Sequence, residues 1–406
     1  MTATGQRVVG RTRARSRPIR LAACLAGLSA FGPLTIDMYL PSLPRVARDF
    51  GVTPPQVQLT LTACLVGLAA GQMIAGPLSD ALGRRRPLLV CLALFLLASV
   101  ACAFAPAVYA LDLARLVQGL TGAAGLVISR AIVRDLYDGA AAGRYFSLLA
   151  AIQGIAPIAA PLIGGQVLRF APWRGVFLLL AAIGAVMLAA VVRWIPETAE
   201  PRRDDGPMMR ATGRALAGLV RDRLFIGCAL TGGFAMGAMF AYISGSSFVY
   251  EGEFGVSPQL YSVLFGVNSL GIMAASSLNG WLLGRAGMRR MLTIGAAGVC
   301  AGGVALLAVV LLGPSVPAIM PCLFVAVASV GLIMPNSTAL ALGGHGRTAG
   351  TASALLGLVQ FALGGVMAPL VGIAGDSAVP MGVIMAALGI ASIITWLAVQ
   401  WRGVTR

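Results

Sequence analysis

The sequence contains no lysine, one histidine and only 14 acidic residues among 406. Each scarcity excludes something. His345 stands alone in a glycine-rich stretch, so no metal centre is expected, and no sequence motif calls for a cofactor. The seven cysteines (24, 64, 91, 102, 228, 300 and 322) fall in apolar runs with no C-x-x-C spacing. They read as small buried hydrophobes rather than disulfides or metal ligands. No polar stretch is long enough to make a soluble domain. The use of arginine for every basic residue points to a GC-rich genome, not to a function.

What is abundant is apolar. With 58% hydrophobic residues, 11% charged residues and a mean hydropathy of +0.88, the soluble globular class is excluded. A bilayer core takes ~20 apolar residues in helical form. Twelve such runs can be cut, at about 21–43, 57–78, 87–105, 107–129, 144–168, 175–195, 224–250, 259–283, 291–313, 315–340, 351–374 and 378–400. Lipid offers the backbone no hydrogen-bond partners, so these runs are expected as helices.

The net charge of +16 has two readings, nucleic-acid binding and membrane topology. The arginines are not interleaved with aromatics in any domain-sized polar segment, so no nucleic-acid partner is expected. With the N-terminus inside, 25 arginines fall on the inner side and four (Arg45, Arg48, Arg169 and Arg174) on the outer. That asymmetry places both termini in the cytoplasm. Residues 1–20 then form a basic cytoplasmic tail. A cleavable signal is the alternative, but the run that follows is too long and lacks a small-residue cleavage pattern. The expected units are an N-terminal six-helix bundle at 21–195, a linker at 196–223, a C-terminal bundle at 224–400 and a short tail at 401–406. Within the linker, a surface helix from about 208 to 221 is expected. A partner site there is the alternative to a solvated connection.

The chain repeats itself. Asp49-Phe50-Gly51-Val52-Thr53-Pro54 falls on Glu253-Phe254-Gly255-Val256-Ser257-Pro258, an offset of 204 residues. At the same offset Gly67 falls on Gly271, Gly76 on Gly280, Gly83 on Gly287, and Arg85-Arg86 on Arg289-Arg290. Two related halves in the same orientation follow, as in transporters built from parallel repeats.

The loop from Gly76 to Arg86 (GPLSDALGRRR) resembles the G-x-x-x-D-x-x-G-x-R-R signature of the major facilitator superfamily. Ala81 replaces the usual basic residue after the Asp, and Gly284 replaces the Asp in the second copy. Asp37 to Pro44 (DMYLPSLP), Arg130 to Asp135 (RAIVRD) and Ala349 to Ala354 (AGTASA) resemble the bicyclomycin-resistance (Bcr/CflA) group of drug–proton antiporters. The resemblance covers roughly residues 20–400. It implies an all-α membrane protein of twelve transmembrane helices in two six-helix bundles, in the bacterial inner membrane, working as a monomer without a cofactor.

Charge inside a bilayer is costly and marks function by default. Asp37 in the first run, and Asp112 and Arg115 in the fourth, are such charges. Counted from the outer ends at ~1.5 Å per residue, Asp37 and Arg115 lie roughly 10 Å and 12 Å deep. An Asp37–Arg115 pair, or a cluster with Asp112, is therefore expected to couple transport to protons. The alternatives are a static pair fixing two helices and, for Asp112, a solvated helix-start residue. Arg115-Leu116-Val117-Gln118-Gly119 also resembles the R-x-x-Q-G motif of proton-coupled members, whose arginine takes part in proton transfer. No buried acid is evident in the seventh, eighth, tenth or eleventh run, so proton handling is expected in the first half.

Two further motifs concern conformational change. In the superfamily the signature Asp caps a helix start in the other half. Asp80 is thus expected as a latch on the eleventh run at Thr348–Ser353 in the outward-open state, with Gly76 and Gly83 allowing close approach. Arg84 and Arg85 belong to the same motif, with a pure topology signal as the alternative. In the fifth run, Pro157, Pro161, Gly164 and Gly165 resemble the antiporter signature, with Ala160 in place of its first Gly. The pattern returns as Ala368-Pro369-Leu370-Val371-Gly372; ordinary small-residue packing is the simpler reading.

Substrate contacts are expected from Tyr39, Gln118, Tyr242 and Asn336, with Ser246, Asn268 and Gln360 as further candidates. Each has a helix–helix hydrogen bond as its simpler role. Met38, Met236 and Met239 suit either a plastic apolar pocket or core filling. The function expected is export of small amphiphilic drugs in exchange for protons. A metabolite exporter or uptake symporter on the same fold is the alternative. A receptor that lost transport is disfavoured by the intact Asp37, Asp80 and Arg115, and an enzyme by the lack of a catalytic cluster.

Overall fold

The computed structural model describes residues 18–137, 139–198, 218–343, 349–374 and 377–404. Among these residues the ordered elements are helices, with no strand. The first half comprises α1 (Pro18–Ser29), α2 (Phe31–Asp37), α3 (Leu43–Phe50), α4 (Pro54–Leu82), α5 (Arg85–Ala103), α6 (Val108–Leu136), α7 (Gly139–Phe170) and α8 (Arg174–Trp194). The second comprises α9 (Arg223–Ser247), α10 (Pro258–Ala286), α11 (Met288–Leu312), α12 (Val316–Leu342), α13 (Ala349–Val371) and α14 (Ala378–Val404).

These helices account for the twelve apolar runs. Ten are long and apolar enough to cross a membrane. The segments Arg20–Ser29 and Phe31–Phe50, bent by 42°, make an eleventh, and the shorter apolar helix Leu355–Val371 matches the remaining run. Pro33 explains the bend in the first span. It has no N–H to donate to the Ser29 carbonyl, so the helix breaks just before it. The expected linker helix at 208–221 falls largely outside the described residues. Of it, residues 218–221 are helical.

The repeat is visible in backbone conformation. Gly51 and Gly255 both take a φ of +64°, while Gly83 and Gly287 take +85° and +77°. These are values that a side chain would disfavour. The helix starts after the first pair each carry a hydroxyl residue followed by proline and are each capped by a local bond. The Thr53 N–H donates to Gln56 Oε1 (2.9 Å) ahead of α4, and Ser257 Oγ accepts from the Leu260 N–H (3.2 Å) ahead of α10.

Lipid removes the hydrophobic drive between helices, so contact depends on how closely backbones approach. The tightest seam is α4 on α6. Gly67 and Gly71, four residues apart on α4, lie against the carbonyls of Leu116 and Leu120, and Gly119 on α6 lies against the Cys64 carbonyl. A Cβ at any of the three would overlap those carbonyls. The halves meet chiefly where α4 touches α13 and α7 touches α10.

Candidate functional site

Between the halves lies a cavity of about 630 Å³. Its walls run from the middle of the spans toward the arginine-rich ends: Leu68 and Gln72 on α4, Gln153 and Pro157 on α7, Ser269 to Ser277 on α10. Met236, Met239, Phe240, Phe265 and Phe361 supply most of the apolar lining. Asp37, at the broken end of α2, is the one carboxylate among the lining residues, and no arginine is among them. It is 5% exposed and, among the described residues, has no ion pair or side-chain hydrogen bond.

The expected Asp37–Arg115 pair is not formed. Arg115 is fully buried away from the cavity, in a cage of its own. Its Nη1 donates to the Thr35 carbonyl (2.9 Å) and to Gln118 Oε1 (2.7 Å). Its guanidinium lies 4.9 Å from the Tyr39 ring centre and 5.6 Å from that of Phe177, within cation–π range. Nε and Nη2 have no partner among the described residues. Asp112 does not join this cage, and its sealed Oδ1 is also unpartnered among them. Arg115 thus ties α6 to the chain two residues before Asp37, acting on the placement of the carboxylate rather than on its charge by contact.

The substrate candidates divide in the same way. Tyr242 lines the cavity, stacked on Phe265 at 5.3 Å, its hydroxyl accepting from Asn268 Nδ2 (2.9 Å). Tyr39 and Gln118 belong to the arginine cage instead. Asn336 bridges α12 to α10 by donating to Asn279 Oδ1 (2.6 Å), a packing bond away from the cavity.

The face opposite the arginine-rich one is closed by two matching interlocks. Gly165 of α7 packs on Pro258 and Ser262 at the start of α10, where Gln259 Nε2 donates to the Gly165 carbonyl (2.8 Å). Gly372, just after α13, packs on Pro55 and Gln58 at the start of α4. Gln58 Nε2 donates to the Ser244 carbonyl (3.0 Å), and Thr62 Oγ1 to the Gly365 carbonyl (2.9 Å). Gly164 presses on the Met38 carbonyl beside Asp37. The glycines of the fifth span therefore shape both the closed face and the seat of the carboxylate. Pro161 has no N–H for the Pro157 carbonyl one turn earlier, which instead accepts from Ser269 Oγ of the other half (3.3 Å).

At the arginine-rich end the signature loop forms a knot of charge inside the first half. Arg84, 5% exposed, pairs with Asp80 and, through Nε, with Asp135 Oδ2 on α6 (2.8 Å). Glu197 accepts from the backbone N–H groups of Arg84 (2.7 Å) and Arg85 (3.1 Å), capping the start of α5. A Cβ on Gly83 would meet the Glu197 carboxylate at 2.7 Å. Gly76 has its nearest neighbour, Val127, at 3.8 Å and is not crowded. Asp80 makes no described bond to α13. The side chains at 349–351, and all of 344–348, where the latch partner was expected, lie outside the described residues.

Sequence reasoning missed the structural part of Arg84, together with Asp135 and Glu197. The RAIVRD motif was the available signal for Asp135. Exchanging Arg84 for glutamine is expected to lower unfolding stability by about 2 kcal/mol, because two carboxylates lose a charged donor. The same exchange at exposed Arg86 should leave a thermal melt in detergent unchanged. Glu251 was missed as well. The seventh span continues as a π-helix over Phe248–Glu253, and Glu251 Oε1 is sealed there without a partner among the described residues.

Comparison with known proteins agrees with this architecture. The Major Facilitator Superfamily profile matches residues 22–369. The chain is 42% identical to the uncharacterized MFS-type transporter YdgK of Bacillus subtilis over 90% of its length and 92% of that protein. It is 32% identical to a bicyclomycin resistance protein homolog of Haemophilus influenzae, covering 91% and 93% of the two chains. Among solved structures, the nucleoside transporter NupG superposes with a TM-score of 0.75 at 13% identity, covering 94% of this chain and 99% of that one. The chain belongs to the major facilitator superfamily, within its bicyclomycin-resistance group.

Proposed function

We propose that this protein exports small amphiphilic drugs in exchange for protons, by alternating access, as a monomer in the bacterial inner membrane. The observation that carries the reading is a lone carboxylate, Asp37, in a largely apolar cavity closed on one face. With the arginine-rich face cytoplasmic, the cavity faces the cytoplasm, where an exporter collects its load. Asp37 holds a proton when the cavity is empty and gives it up to the cytoplasm as a drug settles beside Tyr242 and Phe265. Reopening to the outside exchanges the drug for an external proton. The kinship with a bicyclomycin resistance protein homolog supports a drug as cargo. The apolar lining favours this over a metabolite exporter or uptake symporter, because a polar metabolite would leave its hydrogen bonds unmade there.

The domain boundaries fit the same scheme, with 21–195 and 224–400 as the rocking bundles and 196–223 as their connection. Asp80 is available to serve as the latch of the opposite state, since the arginine-rich face is the open one here. Uptake of a chloramphenicol-type compound or a dye into inverted vesicles tests the function. Accumulation should appear when the lumen is made acidic and vanish when the gradient is collapsed by an ionophore. Accumulation indifferent to the gradient would refute exchange.

Closing the outer face depends on the Gly165 interlock. Leucine at that position should hold the outer face open, so a cysteine placed at Ser247, fully buried here, should react with an impermeant maleimide from outside. In an otherwise unaltered protein that cysteine should stay largely protected.

A further inference from the structure

A second chamber, of about 280 Å³, lies at the seam of α4 and α13. Gln72 and Phe361 border both this chamber and the main cavity, so the two spaces share a threshold. Toward the opposite face the same seam is closed by the Thr62 and Gly372 contacts described above. Toward the arginine-rich face it widens into this space, flanked by Met73 and Leu358, which are 53% and 44% exposed.

Arg130 of α6 lines the chamber. It lies six residues before the helix end at Leu136, roughly 9 Å along the axis. Its side-chain partner is neutral: Nη2 donates to Gln153 Oε1 (3.2 Å), and Gln153 itself lines the main cavity. Among the described residues the arginines in ion pairs are Arg84, with Asp80 and Asp135, and Arg174, with Asp49. Arg130 has none within ion-pair distance among the described residues. An exposed guanidinium on the wall of a partly apolar chamber, with a neutral side-chain partner and no carboxylate within ion-pair distance among the described residues, keeps donors for an anion from elsewhere.

We propose that this side chamber binds amphiphiles with an anionic head group, Arg130 holding the head and Gln72 and Phe361 marking the passage into the main cavity. The chamber is large enough for a head group and one aromatic ring, and the body then extends past Phe361 among the methionines. Carboxylate, sulfonate and phosphate heads share the chemistry. The bound species is either an acidic amphiphile from solution or an anionic lipid of the adjoining leaflet. What happens to the ligand afterwards rests on the exporter reading; the binding itself does not.

Two dyes with the same aromatic body separate the cases: 1-anilinonaphthalene-8-sulfonate and the neutral N-phenyl-1-naphthylamine. Both are titrated by fluorescence into the full-length protein in phosphatidylcholine nanodiscs. Arg130→Gln should weaken the sulfonate about tenfold, the scale of one charged hydrogen-bond anchor, and leave the neutral dye within about twofold. Gln153→Glu, which supplies an internal carboxylate to Arg130, should also weaken the sulfonate, and Arg130→Lys should keep part of the affinity. An unchanged sulfonate affinity in Arg130→Gln and Gln153→Glu, or an equal loss for both dyes, would overturn the proposal. Phosphatidylglycerol in the discs identifies the source. Competition with the sulfonate in the unaltered protein but not in Arg130→Gln assigns the site to a lipid head, and no competition assigns it to soluble acids. Gradient-driven uptake of the neutral dye in vesicles judges the exporter reading separately, whatever the titrations give.

Discussion

Asp37→Asn is expected to abolish proton-driven transport, with gradient-dependent uptake into inverted vesicles falling at least ~100-fold, as for loss of a group that moves a proton. The substitution keeps the size and hydrogen-bonding reach of the side chain, so binding of a neutral drug should persist. Asp37 is the carboxylate of the cavity, and no second acid stands on its wall to take over. Asp112 lies outside the lining, and Glu251 sits at the closed end, opposite the arginine-rich face. Asp112→Asn should therefore retain most activity. Equal losses for the two substitutions would mean that the proton route passes through the arginine cage and not through the cavity.

The second large effect is on folding. Gly119→Val is expected to destabilise the first bundle by at least ~3 kcal/mol, because overpacking against backbone has no flexible neighbour to absorb it. The Cβ would overlap the Cys64 carbonyl, and the β-branch would add to the crowding. Gly67 and Gly71 face the same helix from the other side, so the seam has no slack. The expected reading is loss of monodisperse protein in detergent or a collapsed melting temperature. Gly154 serves as the control, since a methyl group added there would have nothing within 4 Å. An alanine at that position should be silent.

Apolar length and composition made the twelve spans legible, and the offset of 204 residues made the two halves legible. The matching φ values of Gly51 with Gly255 and Gly83 with Gly287 are the structural trace of that repeat. What the sequence could not show was direction around a helix axis. Depth counting puts Asp37 and Arg115 at one height, but Arg115 turns to Tyr39 and Phe177 while Asp37 turns to the cavity. Gln118 followed Arg115 into the cage for the same reason. Asn336 and Asn268 read alike as polar residues in apolar runs, yet only the latter supports a cavity residue, through the Tyr242 hydroxyl. Glu197 reads as a linker acid in the sequence, and becomes a helix cap only because the chain folds back over the start of α5. Glu251 was lost because the apolar run stops at Tyr250 whereas the helical path continues to Glu253.

Exchange of drug for proton at one carboxylate is most directly tested by counting protons. Purified protein in weakly buffered detergent is mixed with a saturating drug, and proton release is followed with a pH indicator dye. Release approaching one proton per bound drug is expected from the unaltered protein near the pH at which Asp37 is protonated, and none from Asp37→Asn. The same release from Asp37→Asn, or drug binding without release at any pH in the unaltered protein, would contradict a shared site for drug and proton.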